Sequence, residues 1–157
     1  MPAELLDANG GHVNFLLGDD PSAWRTNVPV YGKVRYHDVY PNVDVTYYGA
    51  GRELEFDVEI APGADADSIA MHIEGGSVSI DDSGDLRIAM AGRDILQKVP
   101  LAFQDVGGER RKVAAKYRLH DDGTIGFSLG AYDATHPVVI DPVLSYATFF
   151  GGTDWDG

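Results

Sequence analysis

The sequence predicts an all-β, antiparallel, sandwich-like domain with tight hairpins, and three observations carry that prediction. Apolar and polar residues alternate with a period of two in several segments. Turn signals rich in Gly and Asp recur roughly every 8–12 residues, the rhythm of a β-sandwich or barrel. Helical patterning is scarce: "DDPSAWR" has Asp20 as an N-cap and Pro21 at the first helical position, and "DADSIA" offers one further turn.

Taken in chain order, "KVRY" and "VDVTYY" are short alternating strands. In the second, Tyr47 and Tyr48 must point to opposite faces, which leaves one of them the more exposed. "GAG" (49–51) is a hairpin-like connection into "RELEFDVEI". There Leu54, Phe56, Val58 and Ile60 share one face, and Glu53, Glu55, Asp57 and Glu59 the other. Neighbouring carboxylates along such a stripe stand about 6.5–7 Å apart. A hard cation needs several oxygens at about 2.3–2.6 Å, so the stripe is expected to be a solvated face paired across strands. Lys33, Arg35, Arg87 and the Lys112–Arg118 face are the available cations.

"APGADADS" (61–68) is a longer loop, and "GDLRIAM" turns Leu86, Ile88 and Met90 one way. "RKVAAKYRL" reads as one strand, with Val113, Ala115, Tyr117 and Leu119 on one face. "DDSGD" (81–85), "VGGE" (106–109) and "HDDG" (120–123) read as hairpin turns, because Asp and Gly tolerate positive φ. In "HPVVIDPVL", Pro137 and Pro142 bracket an apolar run. Proline cannot donate to a ladder, so this segment is expected to be an edge strand or an exit from the domain. The expected organisation is therefore a sandwich-like domain over 10–141 and a tail over 142–157. Within the tail, residues 143–150 read as another strand.

Composition limits the function classes. The 157 residues, 44% apolar, suffice for one packed domain. A net charge of −13, from 25 acidic and 12 basic residues, repels phosphate backbones and anionic lipid, which argues against nucleic-acid partners. No apolar run of 18 residues is present, so membrane insertion is not expected. The lack of cysteine removes disulfides, zinc–thiolate sites and cysteine nucleophiles. Residues 1–10, "MPAELLDANG", lack the basic start and apolar stretch of a signal peptide.

No catalytic motif stands out. There is no phosphate-binding loop or dinucleotide fingerprint, and a carboxylate pair is a geometric fact that sequence does not reveal. The five histidines show no metal-ligand spacing. "DDSGD", "HDDG" and "TDWDG" are calcium-like in composition but lack the spacing of an EF-hand. Turn chemistry accounts for them, and no cofactor is expected. If calcium binds, Asp154 and Asp156 of "TDWDG" are the candidate ligands. For a bound sugar or protein partner, Trp24 and Tyr48 are the candidate contact residues, since exposed aromatics stack on sugar rings and anchor interfaces.

Several stretches carry a resemblance: "NFLLGDDPSAWRTNVPVYGKVRY", "VYPNVDVTYYG" and "PVVIDPVLSYATFFGG". Over about residues 11–152 the chain resembles an uncharacterised domain of large exported bacterial proteins. The resemblance implies an extracellular or cell-surface setting, with the domain preceding an array of SBBP repeats that build β-propellers. "LSYATFFGGTDWDG" is similar to the opening of the first such repeat, so the C-terminal strand would start a propeller-type repeat. "TDWD" departs from the small-residue turn common there, so the resemblance lends Asp154 and Asp156 no metal role. It also implies a signal peptide and a further β-rich segment before residue 11, and it assigns no catalytic residues. The expected function is thus a non-catalytic structural module, presenting or capping the repeats of its own chain, with adhesion as one use. A glycan-binding module is the alternative, and a carboxylate-dependent hydrolase the third.

Overall fold

The computed structural model describes residues 2–50, 53–91, 93–142 and 144–147. Among these the chain is all-β, and every strand pairing is antiparallel. The strands are β1 (Ala3–Phe15), β2 (Arg25–Tyr40), β3 (Val43–Ala50), β4 (Glu53–Ile60), β5 (Gly76–Ile80), β6 (Leu86–Met90) and β7 (Arg93–Gln97). They continue with β8 (Leu101–Val106), β9 (Glu109–Val113), β10 (Ala115–Leu119), β11 (Ile125–Leu129), β12 (Val138–Asp141) and β13 (Leu144–Ala147). A seven-stranded sheet has the order β1-β2-β3-β4-β12-β8-β9, a four-stranded sheet the order β13-β7-β6-β5, and β10 and β11 form a two-stranded hairpin.

The turns follow the local chemistry. Gly107 and Gly108 both have positive φ, +62° and +83°, which lets a two-residue turn join β8 to β9 with the right twist. Asp81 Oδ1 accepts from the backbone N–H groups of Ser83 and Asp85 and closes the β5–β6 turn. Asp20 and Asp65 cap two single 3-10 turns, Pro21–Ala23 and Ala66–Ser68. The connection at 51–52 lies outside the described residues.

All three sheets contribute to one core. Val43, Val58 and Ile140 come from the large sheet, Leu86 and Ile88 from the four-stranded sheet, and Tyr117 and Phe127 from the hairpin. Burying each such apolar side chain contributes about 1.5–3 kcal/mol, which offsets the entropy lost in ordering the strands. A backbone bridge between Met71 and Ile125 ties the 69–73 segment to the hairpin, and the Tyr117 hydroxyl donates to Lys98 O at 3.0 Å.

The structure departs from expectation in several places. β12 is not an edge: it sits between β4 and β8. Pro137 and Pro142 lie just outside it, so the ladder donors of residues 138–141 are intact. Gln104 supports the approach, its Nε2 donating to Asp133 O at 2.8 Å and to His136 O at 3.0 Å. "RKVAAKYRL" is not one strand. The chain changes sheets at Ala114, so Val113 and Tyr117 are buried under different sheets while Leu119 is exposed. Of the two tyrosines, Tyr47 is the more exposed and Tyr48 is half-buried. Apart from these differences, β1 begins at Ala3 and β13 joins the four-stranded sheet through β7.

Candidate functional site

The seven-stranded sheet presents two unlike faces. Alternation places Lys33 and Arg35 of β2, Thr46 and Tyr48 of β3, and Asp57 and Glu59 of β4 on the outer face. The Arg35 guanidinium donates to Thr46 Oγ1 at 3.2 Å and to Glu59 Oε2 at 3.3 Å. The Tyr48 hydroxyl donates to Asp57 Oδ1 at 3.0 Å. Lys33 reaches Asp7 Oδ2 at 3.4 Å and stands 5.9 Å from the centre of the Tyr48 ring. Together Asp7, Lys33, Arg35, Asp57 and Glu59 line a polar furrow of about 220 Å³.

The acidic stripe is therefore paired in part as expected, but it is not a freely solvated face: Glu55, Asp57 and Glu59 are all half-buried. The register of β12 on β4 continues to bring Asp141 beside Asp57. Burial pushes the Asp57 carboxyl above its ordinary range, against the lowering effects of Tyr48 and Lys33. Burial also raises Asp141, and the charges of Asp57 and Glu55 add to it. Asp141 Oδ1 is buried with no hydrogen-bond partner among the described residues. Tyr48 is pushed above its ordinary range by burial first and by Asp57 next, so it stays a neutral donor. The face thus offers acceptors at Asp57 and donors at Lys33 and Arg35, a set suited to a hydroxyl-bearing ligand.

Where the edge strand meets β2, His37 lies between two carboxylates, with Nε2 3.0 Å from Glu4 Oε2 and Nδ1 2.9 Å from Asp44 Oδ2. Glu4 first, then Asp44, raises its pKa. This row fastens β1 to β2 and β3 through side chains as well as backbone.

The inner face is apolar and only partly covered. Tyr36 stacks edge-on against Tyr47 at 6.0 Å between ring centres, and Tyr47 lies 5.7 Å from Phe56. Leu5, paired with Val34, and Leu54 extend this surface and are more than half exposed. Two clefts, of about 490 and 430 Å³, share Val39, Val45 and Tyr47 as walls and form one trough. The inner cleft runs between β3–β4 and β6–β7.

The predicted contact residues are not brought together. Trp24 is partly exposed, and its Nε1 donates to Gly18 O at 3.0 Å, which ties it to its own loop. Tyr48 pairs with Lys33, nine residues further along the chain than Trp24, about 25–30 Å for an extended strand. Asp154 and Asp156 lie outside the described residues, and among the described residues no group of three His, Asp or Glu side chains is placed to hold a metal. The trough was not foreseen. Its signal was the pair Tyr47–Phe56, inward on adjacent strands.

Antiparallel sheets, the largest with one polar and one open apolar face, define an all-β module. A family model described as Domain of unknown function (DUF7948) matches residues 2–143, and the chain belongs to that family. No curated protein and no solved structure matches it.

Proposed function

We propose that the chain is a non-catalytic structural module of an exported or cell-surface bacterial protein. Its two larger sheets pack in sandwich-like fashion, and it presents or caps a β-propeller repeat array in the same polypeptide. The observation that carries this reading is the incomplete cover of the seven-stranded sheet. β1 is a 13-residue edge strand, and beside it the inner face leaves Leu5, Tyr47 and Leu54 exposed. Natural domains blunt or cover long edges and apolar faces, so such a surface suits packing against neighbouring β-structure. The acidic charge keeps the module apart from nucleic acid and anionic lipid. Amide exchange tests the reading: β1 and β3 should exchange more slowly in a chain extended through the following repeats than in residues 1–157 alone. Equal exchange in both would sink it.

A second reading has its own observation. The outer furrow sets Asp57, Lys33 and Arg35 beside a half-buried tyrosine, so a glycan could be held by hydrogen bonds there. A glycan array with the chain and its Lys33→Ala variant decides it. Binding that survives the substitution, or no binding at all, removes this reading.

A further inference from the structure

The inner cleft contains one feature that packing does not explain. Gln97, on β7, is 4% exposed, and its Nε2 has no hydrogen-bond partner among the described residues. Gln97 lines the cleft together with Val45, Phe56, Ile73, Ile88 and Ile95. A buried amide donor left unpaired costs free energy, so such a group in an apolar wall calls for an acceptor that enters the space.

We infer that this cleft is a binding site for a neutral acyl-chain molecule whose carbonyl accepts from Gln97 Nε2. The volume, about 430 Å³, lies in the range of small-molecule sites. The walls are overwhelmingly aliphatic and aromatic, which suits a hydrocarbon chain. No Lys or Arg lines the cleft, its one histidine, His72, is exposed to solvent, and the chain carries −13, so a carboxylate would enter without a fixed buried counter-charge. That selects an ester or amide over a free fatty acid. An extended peptide fits less well, since its successive N–H and C=O groups would be buried against side chains that cannot pair with them. An acyl chain needs one partner, at the carbonyl, and Gln97 is the buried donor in the wall left to meet it, since the Tyr40 hydroxyl is held by Ala70 and His72 is exposed. The inference does not rest on the structural role proposed above, although Tyr47 belongs to both surfaces: it concerns the space between the sheets, and that role concerns the β1 edge and the exposed rim.

The test is displacement of a fluorescent dodecanoyl methyl ester from the purified chain by 1-decanoylglycerol, with decanoate and an apolar extended peptide as competitors. The expected result is saturable 1:1 binding, displaced by the glyceride at lower concentration than by decanoate. Gln97→Leu should weaken the ester about two- to tenfold, the share of one hydrogen bond. Val45→Trp, at the junction of the two clefts, and Ile88→Phe, at the floor, should each abolish binding while far-UV circular dichroism is unchanged. Because Ile88 is a core residue, Val45→Trp at the rim decides the matter if Ile88→Phe does not fold. Non-saturable partitioning, undiminished binding by Val45→Trp, or displacement by the peptide but not the glyceride would each overturn the assignment.

Discussion

Two phenylalanines separate a closed core from an open cleft. Phe127 is 1% exposed, with its ring 5.7 Å from Tyr117. Truncating it to alanine removes six ring carbons from a fully buried site, and the expected cost is about 3–5 kcal/mol. Phe56 has the same chemistry but a different setting. It rests on Tyr47 on one side and lines the cleft on another, and it is only half-buried. About half the transfer free energy is at stake there, and an open cleft adds little cavity penalty, so Phe56→Ala should cost about 1–2 kcal/mol. Urea unfolding followed by circular dichroism gives both values, provided that the transitions are two-state. For a chain of this size each kcal/mol moves Tm by about 2–4 °C, so Phe127→Ala should lower it by about 6–20 °C and Phe56→Ala by about 2–8 °C. Equal, large losses would refute the reasoning, because they would mean that the trough is filled in solution.

Three further outcomes are expected. His37 has its pKa raised by Glu4 and Asp44, so its contribution is whole below about pH 6.5 and is lost as pH climbs through the raised value. Amide protection in residues 3–8, taken relative to the intrinsic base-catalysed rate, should fall over that rise, and His37→Gln should remove that fall. Asp141 has its pKa raised by burial and by Asp57, so its ionised form opposes folding above its ordinary range. Asp141→Asn should therefore raise Tm at pH 7, and the advantage should fade as pH falls towards about 4 in a thermal-shift series. At Gly126 an added Cβ would lie 2.6 Å from His120 Nε2 and 2.8 Å from the Ile69 carbonyl oxygen. Gly126→Ala should cost about 1–3 kcal/mol in urea unfolding through overpacking, and a neutral result would show that the 69–73 segment yields easily.

What could be read in advance was local. The alternation in β4 placed Val58 and Ile60 in the core correctly, and Asp81, Gly107 with Gly108, and Gly123 marked three hairpin turns. Capping by Asp20 and a further turn in "DADSIA" were equally plain, and the structure adds Asp65 as the cap of that turn. What escaped were the consequences of which strand lies beside which. A run of period two does not show that the chain leaves one sheet at Ala114 and enters another. Two prolines suggested an edge at residues 136–144, but their positions outside the ladder mattered more than their presence. The same blindness hid the candidate sites. Asp57 and Asp141 are far apart in sequence and adjacent only through β12, and Gln97 is an ordinary polar residue until its donor is found buried and alone.

The central position of β12 has a consequence for how the molecule comes to be. β4 ends at Ile60 and β8 begins at Leu101, yet neither can pair inward until Val138–Asp141 arrives between them. Closing so long a loop comes late and slowly, since its entropy is lost before its contacts are gained. As the chain emerges, the β1–β4 meander and the β8–β9 hairpin would wait as two fragments, each with an open strand at the future seam. Val58, Ile60 and Ala102 line that seam, so the waiting fragments are the stage most prone to aggregation. β12 is in this sense the keystone: its four residues turn two separate β-pieces into one continuous sheet.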